Sequence, residues 1–166
     1  MNVEKYVNAI LFFLESVHNL GRTKLYKLLY FLDFDHYEKY GEPVTGEAYQ
    51  NKELGPVPVH AEEVINKMKE DGLIDIVPEQ VIDFMRHKFV LKVHHDPKVF
   101  SPTEIEMLYE VAEKWAHHTA NEIVSATHGE APWIATARDE IIPYPYAFYR
   151  NKFAEDEESA QEVTAG

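Results

Sequence analysis

The fold is decided by residues 23–40, which read TKLYKLLYFLDFDHYEKY. Apolar and aromatic residues recur here three and four positions apart, as they do along an α-helix. One face holds Leu25, Leu28, Leu29, Leu32 and His36, and the neighbouring stripe holds Tyr26, Tyr30, Asp33 and Tyr37. A helix that is apolar nearly all round is usually buried at the centre of a domain. The stretch therefore predicts a central buried helix, with Gly41 as the left-handed residue that ends it.

Helical signals flank this stretch on both sides. Apolar spacing and capping residues predict helices over residues 3–18, 59–71, 119–129 and 132–138, and one that begins at the capping box Ser101–Glu104. Asn2 can cap the first of these helices. Gly72 suits the end of the 59–71 helix, with Leu73 folding back on Met68. The inner face of the helix after Ser101 is expected to include Tyr109.

Strand signals are weaker. Residues 47–54 read as a short strand, and residues 73–77 and 88–94 read as the arms of a hairpin. Residues 54–58 (LGPVP) are expected to interrupt any element, because proline lacks a backbone donor. The sequence predicts a mainly α (α+β) fold: a compact bundle of about five to six helices around the central helix, with a small antiparallel hairpin. We expect one domain over residues 1–150 and an acidic, disordered tail over 151–166.

The chain is strongly acidic, with a formal net charge of −13 from 16 basic and 29 acidic residues. Such a field repels phosphate backbones and attracts basic surfaces, which argues against nucleic acid and favours a basic protein partner. The absence of cysteine excludes disulfides and fits a reducing cytoplasm. The longest apolar run, Ala9–Leu14, is far shorter than the roughly 20 residues of a membrane span, so no membrane association is expected.

Signals for catalysis or metal binding are weak. Nine histidines include His94-His95 and His117-His118, but adjacent helical residues point ~100° apart and rarely bind one ion. None has H-E-x-x-H spacing, and the sequence contains no G-x-S-x-G or Walker motif. We therefore expect no enzymatic activity, no metal site and no cofactor.

Asp33 and His36 are the polar residues of greatest interest on the central helix. Three positions apart, their side chains can meet on the helix surface. The pair can be a core histidine satisfied by a carboxylate, which is the favoured interpretation. The alternative is a buried polar pair at the floor of a binding groove, with the tyrosine stripe as its wall. An acid–base pair is the weakest of the three, because no nucleophile accompanies it.

The helix over 59–71 and the hairpin after it have the order of a winged helix, which would make that helix a recognition helix. Its exposed positions carry four acids against two lysines: Glu62, Glu63, Glu70 and Asp71 against Lys67 and Lys69. A helix of that charge would be repelled by both strands of a DNA groove. If the topology is present, it favours contact with protein.

Two stretches together resemble the Panacea domain family, the SocA-like antitoxins once described as phage-associated proteins. The first is KLYKLLYFLD over residues 24–33, followed by His36, Tyr37, Gly41, Thr45-Gly46, Tyr49 and LGPVP over 54–58. The second is SATHGEAPW over residues 125–133. Their order and separation carry the resemblance, which spans residues 5–137.

The resemblance implies an antitoxin encoded beside a toxin gene in bacteria or phages, which neutralises its cognate toxin by forming a complex. One alternative that it implies is a proteolytic adaptor delivering the toxin to a ClpXP-type, ATP-dependent protease. The other is a transcriptional regulator. Many relatives carry an additional helix-turn-helix domain before the Panacea part; this chain starts directly with its first helix, so no DNA-binding autoregulation is expected. Its oligomeric state is left open.

Roles for individual residues can be proposed within these stretches. Tyrosines and buried polar pairs suit the centres of interfaces. The candidate toxin-contact residues are therefore Asp33, His36, Tyr37, Tyr49 and Glu53. Residues expected to serve the scaffold are Leu28, Tyr30, Gly55, Pro56, His128, Pro132 and Trp133.

Overall fold

The predicted central helix is confirmed as α2, Arg22–Tyr40, in a computed structural model that describes residues 1–150. The predicted tail, residues 151–166, lies outside the described residues. Most of α2 is buried, and Leu25, Leu28 and Leu29 are completely inaccessible to solvent. Gly41 ends the helix at φ 78°, and its N–H donates to the Tyr37 carbonyl, as a left-handed C-terminal residue does.

Five further α-helices lie within residues 1–150. They are α1 (Val3–Ser16), α3 (Ala61–Glu70), α4 (Pro102–Trp115), α5 (Ala120–His128) and α6 (Ala131–Ile134). The predicted starts of α1, α4 and α5 are confirmed, because Asn2 caps α1 and complete capping boxes open α4 and α5. The end of α3 is also as predicted, since Leu73 N–H donates to the Met68 carbonyl beside Gly72 at φ 75°.

Two antiparallel hairpins accompany the helices, so the fold is α+β and not all-α. The first pairs β1 (Tyr49–Lys52) with β2 (Gly55–Pro58), which corrects the expectation that residues 54–58 interrupt every element. Asn51 N–H donates outward to the Glu140 carbonyl, and Tyr49 C=O accepts outward from Ile142 N–H. The prolines of β2 lie opposite these two residues of β1, at positions where the ladder requires no donor.

The second hairpin is longer than predicted and pairs β3 (Ile74–Val81) with β4 (Phe84–Leu91). Only Ile74 and Phe89 on its two arms are buried. The outer half of the hairpin has both faces near solvent, so it lacks the alternating apolar pattern that marks a half-buried strand.

One hydrophobic core joins α1, α2, α3 and α4. Tyr109, which was expected on the inner face of α4, is 59% exposed and packs its ring against the edge of Phe12. The predicted last helix, 132–138, is the single turn α6. The chain then runs beside β1 and forms a 3₁₀ turn, Tyr144–Phe148, against α2.

Candidate functional site

The two stretches that carry the family resemblance meet at the β1–β2 hairpin. From α5, His128 Nε2–H donates to the Glu53 carbonyl at 2.8 Å. From α6, Trp133 Nε1–H donates to the Lys52 carbonyl at 3.0 Å. The rings of His128 and Trp133 also pack together, with centroids 4.6 Å apart. These side chains therefore clasp the tip of the hairpin through its backbone.

The opposite side of the same hairpin is held by α2 and α5. Lys27 is buried, and its Nζ donates to the Pro56 carbonyl at 2.9 Å. Gly55 adopts φ 103°, and a Cβ there would overlap the hydroxyl of the buried Thr127. Glycine is required at this position both by backbone conformation and by space.

Asp33 is the anchor of the loop that precedes β1. It is completely buried and accepts four hydrogen bonds, from Val44 N–H, Thr45 N–H, the Thr45 hydroxyl and the Tyr49 hydroxyl, at 2.6–2.8 Å. Burial raises the pKa of this carboxyl, while the hydrogen bonds act in the opposite direction. Every interaction of Asp33 points inward, which fits a structural role.

His36 does not pair with Asp33, and this corrects the hypothesis of a polar pair on the helix surface. His36 Nδ1–H donates to the Glu42 carbonyl, and its Nε2 lies 3.0 Å from the Thr103 hydroxyl. Asp33 instead accepts from two backbone N–H groups, of Val44 and Thr45, and from the hydroxyls of Thr45 and Tyr49, so four donors satisfy its carboxylate without the histidine ring. A groove with this pair as its floor is absent from residues 1–150.

The five candidate toxin-contact residues are not gathered on one surface. Three of them, Asp33, Tyr49 and His36, are at most 4% exposed, and their polar atoms form hydrogen bonds within the fold. Tyr37 is half-buried under the aromatic rings of the C-terminal turn. Glu53 alone is exposed, at the hairpin tip.

The residues expected to serve the scaffold lie inside or at the clasp. Leu28 and Tyr30 are inaccessible in the core, and Pro132 is buried at the start of α6. Gly55, Pro56, His128 and Trp133 form the contacts at the hairpin described above.

An accessible cavity of about 520 Å³ opens between α2, α4 and the C-terminal segment, and we call it the acidic pocket. Its carboxylates are Asp35, Glu38, Glu110 and Glu130; its cations are Lys39, Lys114 and Arg150; and its apolar residues are Phe31 and Met107. Four carboxylates against three cations leave the pocket with a negative balance.

Arg150 occupies one side of the acidic pocket. Its Nη1 donates to Asp35 at 2.6 Å and to Glu38 at 2.9 Å, and its Nη2 contacts Glu130. The guanidinium also lies over the ring of Tyr30. Burial raises the pKa of Asp35 to about 6 even beside this arginine. The carboxylates of α2 and of the turn before α6 thus form a binding site for a guanidinium group, which we call the Arg150 seat.

Sequence reasoning missed both Arg150 and the pocket that it enters. No role was predicted for Arg150 at the end of the expected domain, yet its side chain is 15% exposed and fixes the C-terminal turn to α2. A usable signal was present, because Arg150 directly follows the aromatic-rich residues 144–149, whose rings favour packing against the core. A basic residue in that position calls for a carboxylate partner within the fold.

No group of three or more His, Asp or Glu side chains is arranged to hold a metal ion within residues 1–150. Over the same residues, no helix is both long and apolar enough to cross a membrane. The outer face of α3 carries the mixed charges expected from its sequence, with Lys67 paired to Asp71 at 3.1 Å.

These features define a helical α+β domain whose characteristic motif residues build its interior and which has an acidic pocket open to solvent. A family model described as antitoxin SocA-like, Panacea domain, matches residues 25–134. The match covers more than half of the chain, and the chain belongs to this family. No curated protein and no solved structure matches it.

Proposed function

We propose that this chain is the antitoxin of a toxin–antitoxin pair and that it neutralises its toxin by direct protein–protein contact. Membership of an antitoxin family supports an antitoxin role, and it implies a toxin partner. The observation that carries direct binding is the acidic pocket, in which the chain's own Arg150 already rests on carboxylates. A basic side chain of a toxin can enter the remaining space by the same chemistry.

Long-range charge supports the same proposal. The chain's net charge of −13 accelerates encounter with a basic partner, and the pocket then selects a guanidinium or ammonium group. Two exposed aromatic residues, Tyr40 and Tyr149, are the chain neighbours of the pocket residues Lys39 and Arg150 and offer apolar contact area. Binding, and not catalysis, is the activity that we assign.

Co-expression with the neighbouring open reading frame tests the antitoxin role. Growth should be lost when the neighbour is expressed alone and restored by this chain, with a stoichiometric complex on purification. A harmless neighbour that does not co-purify refutes the proposal. The toxin's half-life separates simple masking from adaptor-assisted proteolysis, because only an adaptor shortens it.

Charge-neutral variants test the pocket itself. Glu38→Gln with Glu110→Gln should weaken toxin binding by about tenfold or more, because each removes a carboxylate from the pocket. The matched control is Glu63→Gln with Glu70→Gln, which removes the same charge from the exposed face of α3. Equal effects of both pairs would show that only net charge matters and that the pocket is not the contact.

A further inference from the structure

A second cavity, of about 660 Å³, lies between the β3–β4 hairpin, the start of α2 and the connection from α4 to α5. We call it the basic pocket. Its cationic lining residues are Arg22, Lys24 and Arg86, accompanied by the imidazoles of His18, His87, His117 and His118. No aspartate or glutamate of residues 1–150 lines it, although the whole chain carries a net charge of −13. Its lining is therefore opposite in charge to the rest of the molecule.

Lys24 supplies a buried positive charge to this pocket. Its side chain is only 8% exposed, and its Nζ donates to the carbonyls of His118 at 2.6 Å and Ala116 at 3.4 Å. An ammonium group has three donors, so one N–H remains beyond these two bonds. No carboxylate within residues 1–150 lies within ion-pair distance of Lys24, and Glu122 on α5 acts on its charge only from further away. A ligand with negative charge would compensate this desolvated ammonium.

The two arginines are oriented by carboxylates that lie outside the pocket. Arg22 Nε–H donates to Glu62 and Arg86 Nε–H donates to Glu79, at 2.7 and 2.8 Å. Each guanidinium carries four more N–H groups on its Nη atoms, which are the pair suited to bidentate contact with an oxyanion. Arg22 is held further by stacking on the ring of Phe89. The arginines are thus positioned before any ligand arrives.

The size and walls of the basic pocket indicate the class of ligand. Its volume falls within the range of about 300–1,000 Å³ that is usual for small-molecule sites. Phe84, on β4, lines the pocket and is 59% exposed, so its ring is accessible for stacking. Cations around an open cavity with an exposed aromatic wall suit a phosphate ester that bears a planar ring.

We propose that the basic pocket binds a small phosphate ester of mononucleotide size, with its phosphate on Arg22, Lys24 and Arg86 and its ring against Phe84. This site lies on the side of α2 where that helix begins, whereas the acidic pocket lies towards its end. Ligand binding there is independent of the toxin contact proposed above.

Isothermal titration calorimetry of the full chain at low ionic strength tests the proposal, with adenosine monophosphate and inorganic phosphate as the probes. We expect saturable binding of both, tighter for the nucleotide. Arg22→Gln and Arg86→Gln should each weaken both probes by about tenfold, because each removes a charged hydrogen-bond donor. Phe84→Ala should weaken the nucleotide and leave inorganic phosphate unchanged.

Arg138→Gln is the matched control, since it removes the same charge from an exposed position outside the pocket. Arg86 lies on the hairpin, so its variant keeps the core intact if Arg22→Gln fails to fold. Absence of saturable binding at millimolar probe concentrations overturns the proposal. Equal weakening by the Arg138 control also overturns it, because the effect would then be one of net charge.

Discussion

Lys27 provides a quantitative test of how the β1–β2 hairpin is held. The side chain is 1% exposed, and its ammonium has one hydrogen-bond partner in the described residues, the Pro56 carbonyl. Burial lowers the pKa of Lys27 to about 8, from the value of about 10.4 expected in an unfolded chain. Each pKa unit corresponds to about 1.4 kcal/mol, so the protonated lysine destabilises the folded state by roughly 3 kcal/mol at neutral pH.

The sign of this contribution follows from the direction of the shift. Below pH 8 the lysine is charged in both states and the folded state bears the full desolvation penalty. As the pH rises from about 8 towards 10.4, the folded protein has already lost the proton while the unfolded chain still holds it, and the penalty disappears. Lys27 therefore makes the free energy of unfolding rise as the pH increases from about 8 towards 10.4, a rise that an apolar residue at this position would not produce.

The perturbation is Lys27→Met, which keeps an unbranched side chain of similar length and removes the ionisable group. We expect the stability of the variant relative to wild type to be about 2–3 kcal/mol greater at pH 7 than at pH 10, because only at pH 7 does wild type bear the full penalty. The hydrogen bond lost at Pro56 affects the comparison at both pH values, so the pH-dependent part isolates the buried charge. Urea denaturation followed by circular dichroism measures it.

Lys92→Met is the matched control, because that lysine is exposed and its variant should show no such dependence on pH. A difference between Lys27→Met and wild type that stays constant from pH 7 to pH 10 would refute the reasoning. Lys27 would then retain an ordinary pKa in the folded protein, and its ammonium would be solvated.

Three further substitutions test the clasp, the Asp33 anchor and the Arg150 seat by urea denaturation. Gly55→Ala should lower the free energy of unfolding by about 2 kcal/mol or more, because it strains the backbone and places a Cβ against Thr127. The control, Gly21→Ala, should change stability little, because space is open there and φ is −100°. Equal effects of the two variants would contradict the packing described at Gly55. Asp33→Asn should cost about 3 kcal/mol, because an amide places a donor against donors; a loss below 1 kcal/mol would contradict this. Arg150→Gln should cost about 3 kcal/mol at neutral pH by leaving three carboxylates without their cation, and Arg138→Gln should cost almost nothing.

The helices of this chain could be predicted from sequence because their signals are local. The apolar surface of α2, the capping boxes at Ser101 and Thr119, and the glycine ends at Gly41 and Gly72 each lie within a few residues of the boundary that they set. The β1–β2 hairpin could not be predicted in this way. Pro56 fits into a strand only because the N–H of the opposite residue, Asn51, bonds to residues 139–142 and not to β2. That arrangement is set by the tertiary structure and leaves no local signal in the sequence.

Buried polar residues were the harder part of the prediction. Glu47 is inaccessible to solvent and accepts hydrogen bonds from the Tyr6 hydroxyl and from His60, yet nothing beside it in the sequence distinguishes it from an exposed glutamate. The position of Asp33 on an apolar helix indicated that its carboxylate would be buried and would need hydrogen-bond donors, but the sequence did not identify those donors. Its four donors come from residues 11–16 positions away, beyond the reach of helical spacing.

The position of the motif residues bears on how a toxin can be recognised. Four motif residues connect α2, the β1–β2 hairpin, α5 and α6 through their contacts: Asp33, Gly55, His128 and Trp133. These residues therefore specify the scaffold and present little surface to a partner. Under the proposed antitoxin role, contact with the toxin comes from side chains that the scaffold leaves accessible, and those have few structural duties that fix their identity. Arg150 lies outside the matched residues 25–134 but still serves the scaffold through its ion pairs. The exposed residues of the acidic pocket, Lys39, Glu110 and Lys114, belong to the second group. Specificity for one toxin is therefore expected to reside in the pocket and its rim, while the motif secures the frame that holds them.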